Sequence, residues 1–525
     1  MRFRKIKHSK TYVLMAMLTI GCLTGCGSHK NLQKAETGDD SKMYKTIIPL
    51  NSYKKNDEHN PVMTYRFGAD PYALVYNGRV YLYMTGDKVS YEPDGTIKEN
   101  TYSNINTINV ISSEDLVNWT DHGTIYAAGI NGAASWGKNS WAPAAAYKKI
   151  DGKDKFFLYF ANNGNGIAVL TADSPIGPFT DPIGGPIISR DTPTCNEVTW
   201  LFDPAVLMDD DGSCYIYFGG GVPSPDKASN PGTARVAKLS EDMISLEKDP
   251  VAIENVSYLF EDSGINKIGN TYYYSYCTNF DVTKEAEKEH GFSKGEIMTM
   301  KSDSPMGPFE PCNPVLKNPE NFFGKGGNNH HCMFEFEGQW YIAYHSRILE
   351  TAMDMDGGYR STNIDKLVIN EELEPDTSIG TKEGVMQTKG FDPYREIPAV
   401  TMCSQAGIST KQFGEVSKKY GSGDMVLSGL CDGAWTSINQ VDFGKEGASG
   451  LKVKVTGDGF GTISLCLDDV HSVPFCTIDV DTRGNREEEI SAVLDEFTSK
   501  ITGIHTVYFL FGGSDYQVYS WEFIR

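Results

Sequence analysis

Apolar and polar positions alternate along this chain in a phrase that recurs five times. The copies start at Asp70 (DPYALVYNGRVYLYMTG), Ala142 (APAAAYKKIDGKDKFFLYFAN), Asp203 (DPAVLMDDDGSCYIYFGGG), Glu261 (EDSGINKIGNTYYYSYCTN) and His331 (HCMFEFEGQWYIAYHS). Each reads as a short apolar stretch, a polar turn with Gly or Asn, and a second stretch dense in Tyr and Phe. That pattern predicts a β-hairpin. The copies recur at roughly sixty to seventy residues, longer than usual propeller periods, and predict five propeller blades with long insertions. Innermost strands of a propeller converge on one axis, so equivalent positions of different blades face each other across a central pocket. Asp70, Asp203 and Glu261 open three of the copies and are expected to meet there.

The hairpin texture spans residues 60–393, the expected propeller. Within it, Ser174-Pro175-Ile176-Gly177-Pro178-Phe179 and Ser304-Pro305-Met306-Gly307-Pro308-Phe309 echo each other. They read as turns near outer blade edges, where Pro interrupts no central ladder. Residues Ser112 to Trp119 occupy a comparable place in the first blade. Phe391 to Pro398 reads as a linker. From Ala399 the texture changes to half-buried strands, such as Leu451–Val455, Thr462–Leu467, Phe475–Val480 and Val507–Phe511, with Gly and Asp turns between them. Residues 399–525 are therefore expected to form a β-sandwich, a jelly roll. The fold class is all-β.

The N-terminus reads as targeting. Arg2, Arg4, Lys5, Lys7 and Lys10 precede a short apolar core from Thr11 to Leu23, too short for a comfortable transmembrane helix. Leu23-Thr24-Gly25-Cys26 resembles a bacterial lipobox, which implies a signal peptide over 1–25 and lipidation of Cys26; Cys22 is a weaker competitor, and the alternative is an ordinary secretory peptide that contains Cys. Residues 26–59 then read as a tether. The expected location is outside the cell, anchored to the bacterial membrane as a lipoprotein. Nine cysteines follow Cys26, an odd number without CxxC spacing, so no disulfide framework is expected. Several lie in apolar strands, as small buried hydrophobes do.

Composition narrows the partners. A formal charge of −21 excludes nucleic acid, whose phosphates demand a basic face. Aromatic residues make up 11% of the chain, with 28 Tyr and 53 Gly, which suits an all-β protein with many turns. Paired carboxyl groups across a pocket are the machinery of glycoside hydrolysis, one protonated to serve the leaving oxygen and the other ionised. A third acid raises the donor's pKa by repulsion. Glu261 follows Tyr258-Leu259-Phe260, an apolar approach that would desolvate it and keep its proton. Asp262 is expected to turn to the other face by strand alternation. The competing reading is that these acids cap turns or bridge blades.

The phrases Phe67-Gly68-Ala69-Asp70-Pro71-Tyr72, Trp200-Leu201-Phe202-Asp203-Pro204-Ala205 and Glu261-Asp262-Ser263-Gly264-Ile265-Asn266-Lys267 together resemble glycoside hydrolase family 43, closest to its arabinoxylan arabinofuranohydrolase branch. The resemblance covers the whole propeller. It implies that Asp70 is the general base, Glu261 the general acid and Asp203 the pKa modulator. It also implies inversion in one displacement, with Asp70 and Glu261 roughly 6.5–9.5 Å apart to admit a water. The chemistry needs no cofactor. Trp141 supplies a sugar platform or packs between blades. His330, with His331 in reserve, occupies the place where family members put a His against a structural calcium or an ordered water, or else is a hydrogen-bonded pair. Asn162, Arg235 and Arg360 also lie in family-like segments. Arg360 is the candidate for holding a sugar hydroxyl or the base carboxylate, or else forms a peripheral salt bridge.

The C-terminal part resembles carbohydrate-binding module family 6 through Asp432-Gly433-Ala434-Trp435, Val441-Asp442-Phe443-Gly444 and Trp521-Glu522-Phe523. It departs from that pattern where sugar is gripped: the loop Arg483-Gly484-Asn485-Arg486 lacks an aromatic, and Gln517 stands in place of Asn. Stacking needs flat rings, so the module binds glycan or serves as a structural companion, and Trp435 stacks or packs. The leading expectation is an α-L-arabinofuranosidase acting on plant cell-wall arabinoxylan. A β-xylosidase or arabinan-cleaving enzyme of the same chemistry, and a non-catalytic glycan-binding lipoprotein, are the alternatives. A retaining fructan-cleaving enzyme is disfavoured, since no Asn-Asp-Pro-Asn phrase occurs near the start.

Overall fold

The computed structural model describes residues 47–413, 424–493 and 500–525, all within one compact unit, Ile47–Arg525. The segment assigned to a signal peptide, and Cys26, lie outside the described residues. The architecture is all-β, a five-bladed propeller followed by a curled β-sheet domain.

Local sequence makes the hairpins. In blade 1, Ala69–Tyr76 pairs antiparallel with Arg79–Thr85, and Tyr76 lies opposite Arg79. The two-residue loop Asn77-Gly78 has φ of 49° and 69°, the type I′ geometry that matches strand twist and favours Asn-Gly. Asp151-Gly152 repeats it in blade 2, with φ of 51° and 75°.

Each further strand adds to the outside of its hairpin. Blade 1 continues with Thr107–Ser113 and Trp119–Tyr126. Blade 2 is Trp141–Ile150, Lys153–Ala161, Gly166–Ala172 and Ile188–Ser189. Blade 3 is Ala205–Met208, Cys214–Phe218, Arg235–Leu239 and Val251–Ala252. Blade 4 is Leu259–Ile268, Thr271–Thr278, Ile297–Ser302 and Glu310–Leu316. Blade 5 is His331–Phe336, Gln339–Ser346 and Ser361–Lys366.

Apolar faces of adjacent blades pack together. Tyr217 and Tyr274 are fully buried between blades 3 and 4, their rings stacked 6.0 Å apart. The two Ser-Pro-X-Gly-Pro-Phe echoes are turns that latch neighbouring blades. Tyr83 of blade 1 donates its hydroxyl to Pro175 O at 2.6 Å, and Tyr217 of blade 3 does the same to Pro305 O at 2.5 Å. The chain closes the ring by laying its first propeller residues along blade 5. Val62 N donates to Thr362 O at 2.9 Å and Gly68 N to Arg360 O at 3.0 Å.

In the second domain the runs Leu451–Val455 and Thr462–Leu467 are one strand, Gly450–Leu467, paired along its length with Ile504–Ile524. Register shifts at Lys454/Val455 and Gly457/Phe460 bend the pair, as bulges do. Val453, Phe509, Trp521 and Phe523 fill the core.

Two expected boundaries move. The described end of the tether is anchored: Leu50 N donates to Gly433 O at 2.8 Å, and Trp435 Nε1 donates to Leu50 O at 2.7 Å. Trp435 is buried, so it packs and presents no platform. The linker is structured too. Phe391 is in the core of the second domain, and Thr401–Met402 adds a fifth strand to blade 1. Asn118 and Asn439 exchange hydrogen bonds of 3.0 and 2.7 Å across the same contact.

Candidate active site

Inner strands begin with a bulge that aims acids at the axis. In blade 1, Ala69 pairs with Thr85 and Tyr72 with Tyr83, leaving Asp70 and Pro71 against one partner residue. Blades 2 and 4 repeat this at Ala142-Pro143 and Asp262-Ser263. The first bulge residue is left-handed each time, with φ of 48° at Asp70, 42° at Ala142 and 69° at Asp262; Asp203 has 49°. Asp tolerates this region better than most residues. The repeat therefore aligns Asp262, not Glu261, with Asp70 and Asp203. Glu261 stands one residue earlier, at the level of Trp141, which corrects the expectation that three acids share one position.

All three predicted acids nevertheless line a single cavity of about 340 Å³, together with Trp141, His330 and Arg360. Asp70, Asp203 and Glu261 are only 4%, 4% and 7% exposed, so their charges interact through little water.

Asp70 is held ionised. Arg360 Nη1 donates to Asp70 Oδ1 at 2.8 Å, while Arg360 Nε and Nη2 donate to Asp87 at 3.0 and 2.8 Å. The Tyr102 ring lies 4.7 Å from the same guanidinium. Asp70 N donates to His345 Nδ1 at 3.2 Å, and His345 Nε2 is 2.9 Å from Asn328 O. A carbonyl only accepts, so Nε2 carries the ring proton and Nδ1 is the acceptor. Burial alone would raise the Asp70 pKa, but the Arg360 charge overrides it and holds the carboxyl well below the usual range.

Glu261 is the opposite case. Burial pushes its pKa well above the ordinary value, and repulsion from Asp203, Asp70 and Asp262 adds to it. Its Oε1 is buried and has no hydrogen-bond partner among the described residues. Burial also raises Asp203, whose Oδ2 accepts the Asp262 N–H at 2.9 Å. One acid is thus pinned in its charged form and the others favour their protons.

Below them, Asp262 leaves the cavity wall as alternation predicts, yet it is no bystander. Its Oδ2 lies 2.5 Å from His331 Nδ1, and His331 Nε2 lies 2.8 Å from Ser275 Oγ. Burial lowers the His331 pKa to about 3. His330 lines the cavity, its Nδ1 3.8 Å from Asp70 Oδ1 and 3.9 Å from Asp203 Oδ2, with Nε2 3.0 Å from Asp262 Oδ1. Calcium takes six to eight oxygen ligands. Among the described residues no group of three or more His, Cys, Asp or Glu side chains is arranged to hold a metal. The side chains around His330 do not by themselves make a calcium cage, so an ion there would take most of its oxygen ligands from water.

The remaining candidates divide. Trp141 lines the cavity and donates Nε1–H to Tyr102 O at 3.0 Å, which fixes its ring at the wall. Asn162 does not line it; its Oδ1 accepts from Lys138 N and Asn139 N at 2.8 and 3.2 Å, and the neighbouring Asn163 lines the wall instead. Arg235 is likewise structural, donating to Thr194 O, Gly232 O and Ala234 O. Asp87, His345 and Trp200 were not singled out from the sequence. Trp200 lines the cavity, is 36% exposed, and its ring lies 5.4 Å from Phe260, which is 5.7 Å from Phe280.

The sequence matches two families, Glycosyl hydrolases family 43 over residues 58–373 and Carbohydrate binding module (family 6) over residues 398–525. It is 45% identical to an arabinoxylan arabinofuranohydrolase of Paenibacillus polymyxa, over 87% of this chain and 72% of that protein. It is also 45% identical to one of Bacillus subtilis, over 87% of this chain and 89% of that protein. A crystal structure of the Bacillus subtilis arabinoxylan arabinofuranohydrolase in complex with cellotetraose superposes with a TM-score of 0.85. Its identity is 43%, covering 90% of this chain and 99% of that one.

Proposed function

Since this chain belongs to Glycosyl hydrolases family 43 and is a glycoside hydrolase, we propose that it is an extracellular, inverting α-L-arabinofuranosidase that releases arabinose side chains from arabinoxylan. One observation carries the reading. Across a single cavity, the Asp70 carboxylate is tied to a guanidinium while Glu261 is buried with an unpartnered oxygen and a raised pKa.

In this reading Glu261 gives its proton to the glycosidic oxygen as that bond breaks, so the xylan hydroxyl leaves neutral. Asp70 takes a proton from a water that attacks the anomeric carbon from the opposite face. One displacement inverts the anomeric configuration. Asp203 keeps the Glu261 proton on by repulsion whenever it is itself charged. Glu261 stands one residue out along its strand from the equivalent of Asp70, an offset that supports a gap between acid and base wide enough for water. Trp141 and Trp200 offer flat faces beside the cavity, the surfaces sugars stack on. The relatives named arabinoxylan arabinofuranohydrolases support arabinose over xylose. The second domain's family supports attachment to polysaccharide, and lipidation of Cys26 would hold the enzyme at the outer side of the cell membrane.

Proton NMR during hydrolysis of arabinoxylan tests the assignment. The expected first product is β-arabinofuranose, which then mutarotates. Retention would remove the single displacement, and xylose as the only sugar released would remove the arabinose claim.

A further inference from the structure

The guanidinium beside the base is shared unequally. Asp87 is fully buried at the side chain and sits just past the second strand of blade 1. It accepts three hydrogen bonds from Arg360: backbone N at 3.1 Å and Nε at 3.0 Å on Oδ2, and Nη2 at 2.8 Å on Oδ1. This occupies the side-on face of the guanidinium, the arrangement in which arginine binds a carboxylate most rigidly. Nη1 donates to Asp70, where it meets Oδ1. His345 Nδ1 also lies against Oδ1, at 3.1 Å. The one hydrogen bond from Arg360 therefore falls on the Asp70 oxygen that His345 Nδ1 also faces.

We propose that Asp87 is a positioning residue that commits Arg360 to a single-point contact with Asp70, so that Oδ1 is held and Oδ2 is left to take the proton of the attacking water. This rests on the reading of Asp70 as the base. Without Asp87, the guanidinium is free to turn its fork onto Asp70 and engage both carboxylate oxygens, as an unshared arginine does. The carboxylate then stays charged but its reacting oxygen is occupied. Arg360, His345, His330, Tyr102, Asp203, Glu261 and Asp262 are the charged or titratable groups around Asp70, and Asp87 acts on it through Arg360.

The test compares Asp87→Asn, Asp87→Glu, Arg360→Lys, the double Asp87→Asn/Arg360→Lys and Asp70→Asn on nitrophenyl arabinofuranoside. Folding of each is checked by thermal melting. Asp87→Asn is expected to lower kcat about 10²-fold, the scale of a small misplacement of a reacting group, with KM nearly unchanged. The loss should persist over the whole pH plateau, because the charge on Asp70 is retained. The double variant should lose no more than Arg360→Lys alone, and Asp87→Glu should keep more kcat than Asp87→Asn. Unchanged kcat in folded Asp87→Asn, recovery at raised pH, equal losses in Asn and Glu variants, or additive losses in the double would each overturn the proposal. If Asp70→Asn retains full activity, the base assignment itself has failed, which is a separate result.

Discussion

Replacing Glu261 by Gln removes a proton while keeping the shape, and its effect should depend on the leaving group. General acid catalysis contributes about 10²–10⁴-fold, which is about 2.7–5.4 kcal/mol of barrier at 1.36 kcal/mol per decade. A xylan hydroxyl leaves as a poor alkoxide and needs the whole of this. Nitrophenolate leaves unaided, so the same variant should lose less than about tenfold on nitrophenyl arabinofuranoside. Asp70→Asn should lower both rates alike, because water must be deprotonated whichever group departs. Side-by-side kcat/KM measurements on arabinoxylan and the nitrophenyl substrate decide it. Equal losses by Glu261→Gln on both, or full retention on polymer, would refute the donor role. Stability gives an independent readout. The fold raises the Glu261 pKa through burial and neighbouring acids, so the folded state keeps a proton that the unfolded chain releases near pH 4.3. That contribution is complete below this pH and is lost as pH rises through the raised value. Glu261→Gln has no proton to lose, and Oε1 forfeits no hydrogen bond. The wild type should therefore melt progressively lower than the variant from about pH 4 upward.

Arg360→Met removes the cation between two buried carboxylates and should cost about 3–5 kcal/mol, measured by denaturant unfolding near neutral pH. The deficit should shrink in acid, because Asp70, whose folded pKa is lowered, contributes stability only above its unfolded value. Trp141→Ala should raise KM for the nitrophenyl substrate more than it lowers kcat, since the ring lines the cavity and carries no proton that the reaction moves; an unchanged KM would return Trp141 to a packing role. Tyr83→Phe should cost about 1–2 kcal/mol by leaving Pro175 O without its donor, with kcat unaffected, as read by thermal melting and the standard assay.

Much of this fold was readable because its physics is local and repeated. Asn77-Gly78 and Asp151-Gly152 specify two-residue turns whatever the rest of the chain does, and five such units leave few ways to bury their Tyr-rich faces other than a ring. The repeat also brought Asp70 and Asp203 together before any coordinates. It misplaced Glu261 by one position, since a bulge adds a residue without changing the hydrophobic alternation on either side; only the pairing of Glu261 with Cys277 and Gly264 with Ser275 exposes it. Asp87 and His345 left no local signal at all. Each sits in an ordinary polar context, and each acquires a partner 273 or 275 residues away in the chain. Asn162 erred in the other direction, because a loop residue that ties down a distant stretch of backbone and one that faces a cavity look alike in sequence. The bulge has a consequence for chemistry as well. Had Glu261 occupied the left-handed position, it would have met the buried His331 that Asp262 now binds and would have left the cavity wall. Shifted one residue out, it lines the cavity together with Phe260 and Trp200, where desolvation favours its protonated form.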